Sequence, residues 1–301
     1  MASLRQIRGR IKSIQNSKQI MRAMQLVSGS KLKRAQDKMQ QGRVVVEFLD
    51  SLLARVLAAA SAQRQTARGR KAKALTHPLA IARDDGESVL VIITSDAGLC
   101  GAYNTNVIQM AEAYLRRDGP DRTPLVFIGK RAHRYFAKRG FTVLDAYLDL
   151  AGRPNPAKSE AIGRSLMGRF LSGQVKSVSV LYSQFKSATT YTPTVQPWLP
   201  ITLSSQDAAP SPRREGLDYI FEPSAEHVFA DLLPRWALAK FQLILLEAFT
   251  SEHSARMIAM KNATDNAEEL LGELTMQRNK IRQATITKEL SEIVGTVEAL
   301  K

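Results

Sequence analysis

Proline constrains this chain more than any other residue. All twelve prolines lie between Pro78 and Pro234, which leaves 77 Pro-free residues before them and 67 after. Proline lacks a backbone donor and its ring clashes with the preceding turn, so long uninterrupted helices exclude it. The chain therefore reads as helix, mixed α/β region, helix. In numbers this is an N-terminal helix over 1–60, a basic linker over 61–87 and an α/β domain over 88–203. A loop with a short strand follows over 204–223, and a C-terminal helix over 224–301.

The first flank has a sharp period. Leu4, Ile7, Ile11, Ile14, Met21, Leu32, Ala35, Met39, Val46, Leu49, Leu53 and Val56 share one alternating three-and-four spacing. A strict seven-residue repeat of this kind predicts a left-handed supercoil with another helix. The seam turns polar at Lys18, Gln25 and Ser28, where Ile20, Met24 and Val27 sit on a neighbouring face and predict a second surface in use. In the last flank Leu274, Gln277, Ile281, Ala284 and Lys288 form one row, and Ile286, Leu290, Ile293, Val297 and Leu300 another. One flank enters the middle region and the other leaves it, so if they pair they pair antiparallel. Flanks of about 60 residues would each extend roughly 90 Å. A rod of that length is expected to protrude and to be received by something.

Charge adds a second constraint. Residues 1–75 hold 17 Lys or Arg against Asp37, Glu47 and Asp50, so nearly all of the net charge of +15 lies there. Residues 224–301 carry 9 basic and 11 acidic side chains and so complement it. A concentrated basic segment meets an anionic partner such as nucleic acid, a membrane surface or an acidic protein face. A nucleic-acid binder would track phosphates along a free helix. Here the helix turns its seam to a partner, and no aromatic residue interleaves the charges of residues 1–40. No apolar run reaches the ~18 residues of a spanning helix. The single Cys100 excludes a disulfide framework and a Cys-rich zinc site.

In the middle, Ser88–Thr94 reads as a strand, followed by the turn-rich Ser95–Gly101 and a helix to about Asp118. Leu125–Ile128 reads as a strand, Lys130–Arg139 as a helix, Thr142–Leu144 as extended, Ala157–Leu171 as a helix and Val175–Tyr182 as a strand. This alternation predicts a largely parallel, doubly wound sheet. Thr189–Pro200 carries Pro193, Pro197 and Pro200 and reads as an edge strand or hairpin. Gln63–Lys73 and Ser204–Glu215 read as loops.

Chemistry-bearing patterns are thin. The Gly98–Gly101 turn lacks the third glycine of the dinucleotide fingerprint, and there is no GxxxxGK[ST]. His77, His133, His227 and His253 are scattered, Cys100 has no evident base, Ser95-Asp96 makes no nucleophile elbow, and Asp84-Asp85 reads as turn chemistry. The expectation is a chain with no catalytic site of its own, no metal and no cofactor.

Three stretches together are distinctive: ASLRQIRGRIKSIQNSKQIMRAMQLVSGSKLKRAQ at the start, ITSDAGLCGAYN in the middle, and ARMIAMKNATDNAEELLGEL…NKIRQATITKELSEIVG at the end. In that order they resemble the gamma subunits of F-type rotary ATP synthases over nearly the whole chain. The resemblance implies an antiparallel coiled coil of the two terminal helices with a Rossmann-like α/β domain between them. It further implies a central shaft inside three alpha and three beta subunits, with its base on the epsilon subunit and the c-ring. ATP chemistry would occur at the alpha–beta interfaces. Met24 matches a shaft methionine facing a beta-subunit lever; Arg256, Gln283, Thr287 and Glu289 match helix positions tied to coupling and beta-loop contacts. The sequence departs from the family at Ala97, where Arg or Lys is usual, at Ala102, often glycine, and at Thr296-Val297, where Gly-Ala is usual. The paired-cysteine insertion of chloroplast forms is absent. Residues 1–36 have the amphipathic, acid-free look of a transit peptide. The resemblance starts at residue 2, however, which implies mature sequence and a place on the cytoplasmic face of a bacterial inner membrane.

Overall fold

A computed structural model describes residues 4–66, 75–118, 123–150, 152–153, 155–202 and 221–299. Most of the loop expected over 63–73 and all of that over 204–215 lie outside the described residues. By packing, the chain divides into two compact units, Met1–Ser30 with Arg256–Lys301, and Lys31–Ala255. The divide falls inside the two long helices, α1 (Leu4–Thr66) and α5 (Ala225–Ala299), and not at a linker.

The larger unit is built on five strands: β1 (Glu87–Ile93), β2 (Leu125–Ile128), β3 (Val143–Tyr147), β4 (Val175–Phe185) and β5 (Tyr191–Leu199). Their order is β3-β2-β1-β4-β5. The first four run parallel and β5 pairs antiparallel to β4. Three helices connect them: α2 (Tyr103–Asp118), α3 (Lys130–Phe136) and α4 (Pro156–Leu171). A parallel strand covered on both faces needs a continuous apolar run, and β1 supplies Val89 to Ile93 at no more than 2 % exposure. The period of two then sorts the core. Val89, Val91, Ile93, Val126, Ile128, Val178, Val180 and Tyr182 pack with α4, α5 and the Leu53 and Val56 of α1. Leu90, Ile92, Leu125, Phe127 and Leu181 pack with α2 and α3 on the other face. Pro193 and Pro197 are tolerated in β5 because an edge strand needs ladder donors on one side only.

Two glycines permit close approaches. Gly129 has φ 100° at the end of β2, and a Cβ there would overlap the carbonyl of Thr94. Gly163 lets α4 lie on α5, since a Cβ would come within 2.7 Å of Leu238 Cδ2.

The proline rule fails once. α5 runs through Pro234, its tenth residue. An interior proline costs about 3 kcal/mol. Here Phe229, Leu233, Ala237 and Phe241 are all at most 1 % exposed, and their burial outweighs the missing hydrogen bond. The N-terminus of α5 is set by Ser224, whose Oγ accepts from the His227 amide at 3.3 Å.

Candidate functional site

The five residues singled out by resemblance all lie in the smaller unit, residues 4–30 of α1 with 256–299 of α5. Its seam forms as the heptad predicts. Ile7 and Ile11 are buried against Leu274, with Ile14, Leu271 and Ile281 packed around them. The pairing is antiparallel: Lys18 Nζ lies 3.2 Å from Glu268 Oε2, and a Cβ on Gly29 would lie 3.5 Å from Met257 Sδ. The polar seam positions also face inward, with Ser28 3 % exposed and Gln25 half-buried.

On the neighbouring face, Ile20 is 62 % and Val27 54 % exposed, and Met24 is half-buried. Leu26, which the seam pattern passes over, is exposed beside them. Met24 sits between Lys18 and Gly29, so its level on α5 falls between Glu268 and Met257. Arg256 is close to that level and buried.

The α5 row needs correcting. Met260, Thr264, Ala267 and Leu274 are buried, with Leu271, Arg278 and Ile281 half-buried, a three-four spacing that replaces Gln277 with Arg278. Gln277, Ala284 and Lys288 are exposed. Beyond Ile281 the helix has run past Leu4, where α1 begins, and no residue of α1 is left to pair with it. Ile286, Leu290, Ile293 and Val294 consequently stand exposed on a helix without a partner among the described residues. The side chains of Val297 and Leu300 lie outside those described.

Gln283, Thr287 and Glu289 belong to this unpaired stretch and are exposed. Thr287 Oγ1 donates to the Gln283 carbonyl at 3.0 Å, and Thr285 and Ser291 donate in the same way to the carbonyls four residues earlier. Gln283 lies 27 residues from Arg256, or about 40 Å along the helix. The five residues therefore fall into two groups: Met24 and the buried Arg256 where α1 and α5 pair, and the exposed Gln283, Thr287 and Glu289 near the end of α5.

In the larger unit, the Ser95–Gly101 turn closes on itself. The Ser95 amide donates to Asn104 Oδ1 at 3.0 Å, and Asn104 Nδ2 to Cys100 Sγ at 3.1 Å. Leu99 and Gly101 take left-handed φ values of 62° and 55°. Cys100 is buried. An open cleft of about 350 Å³ beside it is lined by Gly98, Asn104, Arg131 and Tyr135, among others. The histidines serve structural contacts. His77 Nδ1 accepts from the Leu79 amide at 3.1 Å, His133 meets the Phe127 ring edge-on, His227 lies against Ser224 Oγ, and His253 Nε2 lies 2.9 Å from the Gly152 carbonyl. Burial lowers the His77 pKa. Burial and the neighbouring Glu247 raise that of Tyr182. Among the described residues no cluster of His, Cys, Asp and Glu could hold a metal, and no helix is long and apolar enough to cross a membrane.

Against known proteins, a family model described as ATP synthase matches residues 3–300. The chain is 39% identical over 303 residues to the ATP synthase gamma chain of Anaeromyxobacter sp. (strain K), with both chains covered completely. It is 36% identical over 301 residues to that of Moorella thermoacetica, again with both covered completely. In fold it is similar to a chain from the central stalk and c-ring of the Tetrahymena thermophila mitochondrial ATP synthase, with a TM-score of 0.58 and 21% identity. That match covers 81% of this chain and 99% of the other. On the full-length identity to curated gamma chains and the family match from end to end, this chain belongs to the ATP synthase gamma chain family.

Proposed function

We propose that the chain is the central rotor shaft of an F-type ATP synthase, a mechanical subunit with no catalytic site of its own. Ion flow turns the c-ring, the shaft turns with it, and its asymmetric surface drives three beta subunits in turn through their conformational states. The observation that carries this reading is the end of α5, where Ile286, Leu290, Ile293 and Val294 stand exposed on a stretch of helix without a partner among the described residues. Such an apolar stripe needs an apolar surround, and a collar of alpha and beta subunits supplies one without a fixed partner for each side chain.

In the same reading Met24 faces a beta-subunit lever, with Ile20, Leu26 and Val27 beside it. Arg256, Gln283, Thr287 and Glu289 make the further contacts to alpha and beta loops. The α/β unit rests on the epsilon subunit and the c-ring at the cytoplasmic face of a bacterial inner membrane. We read its sheet as Rossmann-like, because the order β3-β2-β1-β4 with a crossover at β1 is that of the doubly wound fold. The self-satisfied Ser95–Gly101 turn then serves as a connection and holds no nucleotide.

The test is to mix the chain with its cognate alpha and beta subunits, weigh the complex and assay ATP hydrolysis. One copy per three alpha–beta pairs, with activity that requires the chain, is expected. Absence of a complex when alpha and beta are folded would overturn the reading.

A further inference from the structure

Within the larger unit, α1 and α5 are joined by two ion pairs of opposite sense. Arg43 Nη2 donates to Glu247 Oε1 at 2.8 Å. Lys240 Nζ donates to Asp50 Oδ2 at 3.2 Å, and Trp236 Nε1 to Asp50 Oδ1 at 2.5 Å. Both pairs are buttressed. The Tyr182 hydroxyl of β4 lies 3.2 Å from Glu247 Oε2 and 3.0 Å from Gln196 Oε1, and Lys240 Nζ sits 5.2 Å from the centre of the Trp236 ring. Glu247 is 9 % exposed as a side chain, and the other three between 29 % and 37 %.

The spacing gives these pairs their meaning. Arg43 and Asp50 are one heptad apart on α1, and Lys240 and Glu247 one heptad apart on α5. A seam that repeats every seven residues looks much the same to its partner after a slip of one heptad, about 10.5 Å along the axis. The charges do not repeat. A slip in one direction sets Arg43 against Lys240, and in the other Asp50 against Glu247. Partly exposed ion pairs contribute little net stability, but like charges forced together are strongly disfavoured. We infer that Arg43, Asp50, Lys240 and Glu247 are positioning residues that fix the axial register of α1 on α5 by opposing both one-heptad slips. Gly42 adds to the same register, since a Cβ there would lie 3.2 Å from Leu246 Cδ1.

The bearing of this lock on coupling rests on the shaft reading, because a slipping shaft would lose the angle between its two ends. The lock itself can be read in the isolated full chain. In a Cys100→Ser background, Gly42→Cys is combined with Leu246→Cys to report the native register. A second chain combines it with Ala239→Cys to report the register slipped by one heptad. With native charges the 42–246 disulfide is expected to dominate. Exchanging charges on α5 alone, with Glu247→Lys and Lys240→Glu, keeps the net charge, breaks both pairs and offers Arg43 a carboxylate only in the slipped register. The 42–239 product is then expected to rise by about ten-fold relative to 42–246. Adding Arg43→Glu and Asp50→Lys should restore the native product. Unchanged 42–246 formation in the α5-only variant would overturn the inference. If that variant does not fold, recovery of folding and of the 42–246 product in the four-residue variant supports the lock, and lack of recovery overturns it. Hydrolysis by the alpha–beta complex with the wild-type chain separates the two ideas. A chain that locks but supports no activity breaks the shaft reading alone, whereas an active chain whose register ignores these charges breaks only the lock.

Discussion

The two halves of α1 carry the same apolar row in different surroundings. From Leu32 to Val56 the row is sealed, with Leu32, Ala35, Met39, Val46, Leu53 and Val56 at most 6 % exposed and the last two built into the core below the sheet. From Leu4 to Ser28 it faces a single helix, and only Ile7, Ile11 and Ser28 are buried. Both halves leave apolar side chains off the row in the open, Ile20, Leu26 and Val27 in this half and Val44, Val45 and Phe48 in the other, so the contrast lies in the row itself. Periodicity therefore identifies the face a helix turns toward its partner. How completely that face is covered depends on what else packs there. A two-helix pair covers a stripe, whereas a helix, a sheet and a second helix together enclose a side chain on all sides.

The sharpest way to test this difference is to remove one apolar side chain from each region. Phe241, at 0 % exposure and 4.8 Å from the Trp198 ring, is enclosed by the larger unit. Phe241→Ala is expected to cost about 3–5 kcal/mol of unfolding free energy. Leu274→Ala removes the centre of the two-helix cluster from a site that retains 9 % exposure, and about 2 kcal/mol is expected. Denaturant titration of the purified chain, followed by helical circular dichroism, measures both. Equal losses would erase the contrast between the two regions.

A substitution on the open face should separate stability from function. Met24→Lys places a charge on a half-buried position outside the seam, and the unfolding free energy is expected to move by no more than about 0.5 kcal/mol. In the assembled complex the same change is expected to lower ion pumping per ATP hydrolysed while leaving assembly intact. Unchanged pumping would remove Met24 from the contact surface.

The smallest effect concerns pH. Burial holds the His77 pKa below its ordinary 6.5, so between the folded value and 6.5 the unfolded chain binds more protons than the folded one. The stability that neutral His77 contributes is complete above 6.5 and is lost as pH falls through that window. Protonated Nδ1 can no longer accept from the Leu79 amide. The urea midpoint of the wild type should fall more than that of His77→Gln between pH 7.5 and 5.5. Parallel curves would show that the site does not feel its burial.

Much of this fold was legible before any coordinates. The strict heptad predicts the face that α1 turns inward, with every row residue buried or half-buried, because a seven-residue repeat leaves little choice of seam. The apolar run of β1 and the prolines of β5 pointed to a central strand and an edge. The α5 row departs from the expected one at Gln277 because three- and four-residue steps both fit the sequence there, and at Ala284 and Lys288 because a long helix gives no sign of where its partner stops. Pro234 lies inside the helix expected over 224–301 although local sterics alone argue against it there; the packing of Phe229, Leu233 and Phe241 that overcomes them is tertiary and not visible in the sequence. The order of the strands was not legible, since alternation of strand and helix fits more than one winding. Of the five candidate contact residues, pattern points only to Met24, on the off-seam face with Ile20 and Val27. Arg256, Gln283, Thr287 and Glu289 rest on resemblance, and the structure contributes the division of the five into two groups and the company of Leu26.

One consequence follows from the unpaired end of α5. Fifteen residues, Arg282 to Thr296, continue the helix with every side chain exposed. Most helical stability in proteins comes from packing, so this stretch contributes little to the cooperative melting of the chain. Its surface can change by mutation without endangering the fold. Variation among related chains can then be tuned there to whatever encloses it, while the sealed core of the larger unit stays under the much narrower tolerance of close packing.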